Sequence, residues 1–172
     1  MLIVFGGLPG VGKSAVAARV AARLGAAYLR IDVIEVAMTR GLDLPAEGDI
    51  GPAGYVVAYE LARSNLALGV TVVADAVNPI PETRTAWREV AASVGAPCLE
   101  VEIVCSDLAE HRRRVEGRLV DPAALQPPVW AEVERRAYEP WPDAQLRLDT
   151  AVLGVEESAA LVCEVAAKAR GV

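Results

Sequence analysis

"GGLPGVGKS", residues 6–14, stands between the apolar run "MLIVF" (1–5) and the alanine-rich stretch "AVAARVAARL" (15–24). The spacing Gly7-x-x-x-x-Gly12-Lys13-Ser14 is that of a strand, a glycine-rich loop and a helix that together cradle nucleotide phosphates. Backbone N–H groups of such a loop and the positive end of the following helix form an anion nest. Gly7, Pro9, Gly10, Val11, Gly12, Lys13, Ser14 and Ala15 are therefore the expected nucleotide-binding residues. Lys13 would reach the outer phosphates, and the Ser14 hydroxyl would hold Mg²⁺.

Around this loop, short β-branched runs alternate with longer alanine-rich stretches, the pattern of strand and helix units about a parallel sheet. The expected strands are Leu2–Phe5, Ala27–Ile31, Val70–Ala74, Leu99–Cys105 and Gln145–Leu148. Helices should start near Gly12, Asp32, Tyr55, Pro81 and Asp107, with others over Pro128–Tyr138 and Val155–Ala169. The fold class is α/β, a P-loop NTPase with five parallel strands flanked by helices. At 172 residues and 53% hydrophobic content, one domain over 1–172 is expected.

A net charge of −6 disfavours a nucleic-acid partner, since phosphate backbones are held by excess Lys and Arg. No apolar run approaches the roughly 20 residues needed to cross a bilayer, so a cytoplasmic protein without a membrane partner is expected. The three cysteines, Cys98, Cys105 and Cys163, lack metal-ligand spacing and read as small buried apolar residues. His111 is the single histidine, which rules out a histidine triad or a multi-histidine metal site; it reads as a helix-surface residue. Trp87, Trp130 and Trp141 read as packing residues.

Ligands of an open parallel sheet bind beyond the carboxyl ends of the strands. After the second strand that position falls on Asp32, with two readings: a base taking the proton of an attacking hydroxyl, or the cap of the next helix. Glu35, one turn on, reads as a surface or substrate contact. After the third strand come Asp75, Asn78 and Arg84, taken as substrate-facing. Downstream, "SDLAEHRRRVEGRLVDP" (106–122) carries Arg114 and Arg118 four apart on one helix face, with Arg112 and Arg113 exposed.

"GGLPGVGKS", "RIDVIE" (30–35), "VVADAVNP" (72–79) and "HRRRVEGR" (111–118), in that order, resemble small P-loop kinases of the zeta-toxin and chloramphenicol-phosphotransferase type, AAA_33-like ATP-binding kinases. The resemblance spans the first 120 or so residues and extends more loosely to gluconate and shikimate kinases. It implies a nucleoside-kinase-like sheet with a lid over approximately 112–130 and an acceptor region over approximately 40–60. It also implies that Asp75 joins Ser14 at Mg²⁺, that Arg114 and Arg118 close over ATP, and that Thr150 lines the adenine pocket. Catalysis would rest on Lys13, Asp32 and Arg114. The function expected is γ-phosphoryl transfer to a hydroxyl of a small molecule such as a metabolite or antibiotic. The alternatives are a toxin-like kinase of nucleotide-activated sugars and a non-catalytic ATP-binding switch.

Overall fold

The computed structural model describes residues 1–42, 50–117 and 128–170. Five strands, β1 (Leu2–Gly6), β2 (Ala27–Arg30), β3 (Val72–Asp75), β4 (Cys98–Val104) and β5 (Leu146–Asp149), form one sheet in the order β2-β3-β1-β4-β5. Every neighbouring pair is parallel, so each connection must carry a crossover helix. Those helices are α1 (Lys13–Leu24), α2 (Ile31–Gly41), α3 (Ala53–Ala67), α4 (Pro81–Ser93), α5 (Leu108–Glu116), α6 (Trp130–Arg135) and α7 (Val155–Ala169).

A strand buried on both faces reads as an unbroken apolar run, and β1 is buried at every position. Alternate residues feed two cores. Ile3, Phe5, Val101 and Ile103 pack with Val16, Val20, Val162 and Ala166 beneath α1 and α7. Leu2, Val4, Val72 and Ala74 pack on the opposite face with Ala58, Ala62, Trp87 and Val90 of α3 and α4. The sheet thus separates a core beneath α1 and α7 from one beneath α3, which precedes β3, and α4, which follows it.

The expected elements differ from the observed ones mainly at their edges. β3 begins at Val72 rather than Val70, because the Val70 N–H is taken by the Asn65 carbonyl at the end of α3. α6 stops at Arg135, short of Tyr138, and the chain beyond it is gripped through its carbonyls by Arg84. Of the cysteines, Cys105 is buried, while Cys98 and Cys163 are partly covered. Among the described residues no helix is long and apolar enough to cross a membrane.

Candidate active site

The loop between β1 and α1 is shaped by glycines where a side chain has no room. Gly10 has φ +86°, and a Cβ there would come within 2.4 Å of Val115 on α5. Gly12 caps α1 in the left-handed region at φ 92°, and no side chain caps the helix. The N–H groups opening α1 thus meet no capping side chain, which leaves the positive end of the helix for an anion. A cleft of about 640 Å³ opens over this turn, lined by Gly10, Gly12, Lys13, Ser14 and Ala15, with Asp32, Arg114, Glu132 and Arg136 around it.

Lys13 is buried, and its Nζ donates to Asp75 Oδ1 at 2.6 Å. Tyr28 donates its hydroxyl to the other oxygen, Asp75 Oδ2, at 2.7 Å. Burial alone would raise the Asp75 carboxyl. The Lys13 charge and hydrogen bonds from Lys13, Tyr28 and Ser14 outweigh it and keep the group below the ordinary carboxylate range. The Tyr28 phenol moves the other way, pushed well above its ordinary value by burial and by the Asp75 charge. Asp75 is thus an ionised acid beside Ser14.

Asp32 sits in the first turn of α2, one position inside the helix. The N-cap is Arg30, so Asp32 is not the cap, and its carboxylate lies 3.6 Å from the Arg30 guanidinium while lining the cleft. Glu35 rests half-buried against Gly54 of α3, where a Cβ would meet its Cγ at 2.4 Å. Burial first, and then the Asp32 charge, raise the Glu35 carboxyl to about 6 against the opposing pull of Arg136.

Arg114 is held from two sides. Its Nε donates to Glu110 Oε1 at 2.7 Å, and its terminal nitrogens donate to Thr150 Oγ1 at 2.8 Å and the Thr150 carbonyl at 3.0 Å. Thr150 is itself buried and gives its hydroxyl proton to the Val11 carbonyl at 2.6 Å, so it touches the loop backbone rather than lining the cleft. Arg118 lies outside the described residues, as do Asp43–Asp49 of the expected acceptor region and most of the expected lid.

Three expectations are placed differently by the fold. Asn78 is fully buried, its amide donating to the Phe5 carbonyl and accepting from Trp87 Nε1, and it does not line the cleft. Arg84 is buried as well; it donates to the carbonyls of Asn78, Pro79, Glu139 and Pro140 and stacks on Tyr138 and Trp141. Both are scaffold groups: Asn78 ties the turn after β3 to β1 and α4, and Arg84 ties that turn to the chain entering β5. His111 is not a surface residue: it is 4% exposed and contacts the Pro9 carbonyl through Nε2 at 2.8 Å. Arg136, which no motif singled out, is exposed at the mouth of the cleft.

No cluster of three His, Cys, Asp or Glu able to hold a metal occurs among the described residues. Asp75 and the Ser14 hydroxyl stand within hydrogen-bonding reach of each other, a carboxylate and a hydroxyl of the kind that can hold Mg²⁺ together with phosphate oxygens.

Residues 2–140 match the family model of the AAA domain, AAA_33. No curated protein matches the chain. Solved structures share the fold. A candidate kinase from Chloroflexus aurantiacus J-10-fl is 18% identical with a TM-score of 0.75, covering 98% of this chain and 96% of that one. The Mycobacterium tuberculosis APS kinase CysC, in complex with AMPPNP and APS, is 23% identical with a TM-score of 0.68 and 96% coverage of each chain. Kti12 from Chaetomium thermophilum, in complex with ADP-AlF3, is 19% identical with a TM-score of 0.71 and 98% coverage of each. The architecture is therefore the kinase-like P-loop fold.

Proposed function

Because the chain belongs to the AAA domain family AAA_33, we propose that it is an ATP-dependent kinase that phosphorylates a hydroxyl of a small molecule. The observation that carries this reading is the meeting, in one cleft, of a phosphate grip and an acid: Lys13, Ser14 and Arg114 face the same space as Asp32. A carboxylate so placed, with no capping duty in α2, has the reach of a general base.

In this reading Lys13 leaves Asp75 for the outer phosphates, and the N–H groups at the start of α1 bind the phosphate oxygens. Ser14 and Asp75 would hold Mg²⁺, which when bound neutralises phosphate charge. Asp32 accepts the proton of the acceptor hydroxyl as that oxygen bonds to the γ-phosphorus and the bond to the β-phosphate bridging oxygen breaks. Arg114, aimed by Glu110 and Thr150, offsets charge on the phosphoryl oxygens. Around the acceptor side stand Asp32 and Glu132 with Arg136, a mixed lining that suits a hydroxylated metabolite or antibiotic. The zeta-toxin and chloramphenicol-phosphotransferase likeness favours the same chemistry.

The test is Asp32→Asn, assayed by ATP consumption against hydroxylated metabolites, antibiotics and sugar nucleotides with the product confirmed by mass. ATP affinity should stay within a few-fold while turnover falls by about 10²–10⁴. Unchanged turnover would remove Asp32 from the reaction. A wild-type chain that binds ATP but phosphorylates nothing in the panel would favour the nucleotide switch.

A further inference from the structure

His111 and Thr150 both lie outside the cleft lining, yet each reaches a carbonyl of the phosphate loop from the outer side. A carbonyl oxygen only accepts, so His111 Nε2 must carry a hydrogen and donate it to Pro9 O at 2.8 Å. Trp130 of α6 fixes the ring with an edge-on contact, centroids 5.1 Å apart at 87°. The Thr150 hydroxyl has one proton. Its nearest acceptor is Val11 O at 2.6 Å, ahead of Val104 O at 3.1 Å, and its lone pair receives Arg114.

In a planar trans peptide, the C=O of one residue and the N–H of the next point in opposite directions. Anchoring Pro9 O toward α5 therefore turns the Gly10 N–H away from α5, and anchoring Val11 O toward Thr150 turns the Gly12 N–H the other way from Thr150. Both following residues are glycines at positive φ, Gly10 at +86° and Gly12 at +92°. The freedom that admits this geometry also lets each peptide plane rotate out of it. Two loop peptides that glycine leaves free are thus the two that buried side chains hold.

We infer that His111 and Thr150 are positioning residues that lock the Pro9–Gly10 and Val11–Gly12 peptides so that both N–H groups face the nucleotide phosphates. This rests on the loop binding ATP as proposed above. Neither residue touches the nucleotide; each acts through the backbone.

The experiment compares donor-less with donor-keeping variants in the full chain: His111→Phe against His111→Gln, and Thr150→Val against Thr150→Ser. ATP·Mg²⁺ affinity is measured by calorimetry, and the Gly10 and Gly12 amides are followed by ¹⁵N NMR during the titration. His111→Phe and Thr150→Val should each weaken ATP binding about tenfold, the worth of one well-placed hydrogen bond. His111→Gln and Thr150→Ser should stay within about threefold of wild type. His111→Phe should remove the ATP response of Gly10 and leave that of Gly12, and Thr150→Val the reverse. Wild-type affinity and intact responses in both donor-less variants would overturn the lock, as would equal losses within each pair. If His111→Phe does not fold, the Thr150 pair puts the same question at an independent carbonyl. A wild-type chain without ATP binding would instead overturn the phosphate-site reading on which the lock rests.

Discussion

Replacing Lys13 with methionine keeps the length of the side chain and removes the charge that Asp75 is built around. The pair is 2.6 Å apart and both members are buried, so the carboxylate left behind stays largely shielded from water. Removing one partner of a buried pair costs about 3–5 kcal/mol. The Tyr28 and Ser14 hydrogen bonds remain on Asp75, which places the expected loss at the lower end, about 3 kcal/mol. For a chain of this size that is a fall in Tm of about 6–12 °C, read by calorimetry without nucleotide near pH 7.5. The pH dependence has a definite sign. In the wild type the Asp75 acid lies below its ordinary value, so its contribution is present at neutral pH and is lost as pH falls through that lowered value. In Lys13→Met, burial is no longer opposed by Lys13 and pushes the carboxyl upward; the folded variant takes up a proton on acidification, and its deficit narrows toward about pH 4.5. Adding Asp75→Asn to Lys13→Met should recover most of the loss, since no buried charge remains. A Tm change under about 2 °C, a deficit equal at both pH values, or a double variant weaker than the single would refute the reasoning.

Arg114→Ala should lower turnover by about 10³ with a smaller effect on ATP affinity, measured by steady-state kinetics, because the guanidinium meets charge that develops during transfer. Glu35→Gln should stabilise the protein by about 1 kcal/mol near pH 8, a figure reduced for partial exposure. The folded Glu35 acid, raised to about 6, costs stability above that pH, so the gain should vanish by about pH 4.5, as thermal melts at both pH values would show. Arg84→Lys should cost about 3 kcal/mol in denaturant unfolding and leave the acceptor KM unchanged, since a lysine cannot span the four carbonyls that Arg84 serves.

The phosphate loop and all five strands are legible in the sequence because their signals are local: glycines at fixed spacing, and short apolar or alternating apolar stretches long enough for one strand each. Asp32 is legible as a rim residue because it stands two residues past the end of β2, in the first turn of α2. What is not legible depends on distant pairing. His111 sits among arginines and acids, and its contact with Pro9 spans 102 residues. Asn78 and Arg84 follow a strand end, where rim residues are expected, but Asn78 turns inward to Phe5 and Trp87, and the chain returning through Tyr138–Trp141 engages Arg84. Gly54 gives a faint sign of Glu35, since a glycine early in a helix often marks a close approach that only the folded chain identifies.

The separation of the two cores by the sheet bears on how such a protein can change over time. Val16, Val20 and Val162 support the phosphate loop from one face, whereas Ala58, Ala62 and Trp87 support the helices after β2 and β3 from the other. Substitutions beneath α3 and α4 fall into a core whose buried residues are distinct from those beneath α1 and α7. Their energetic effects should add to, rather than compound, those on nucleotide binding. On the proposed kinase reading, a lineage, or an engineer, can therefore vary the core beneath α3 and α4 while the core beneath α1 and α7 stays as it is.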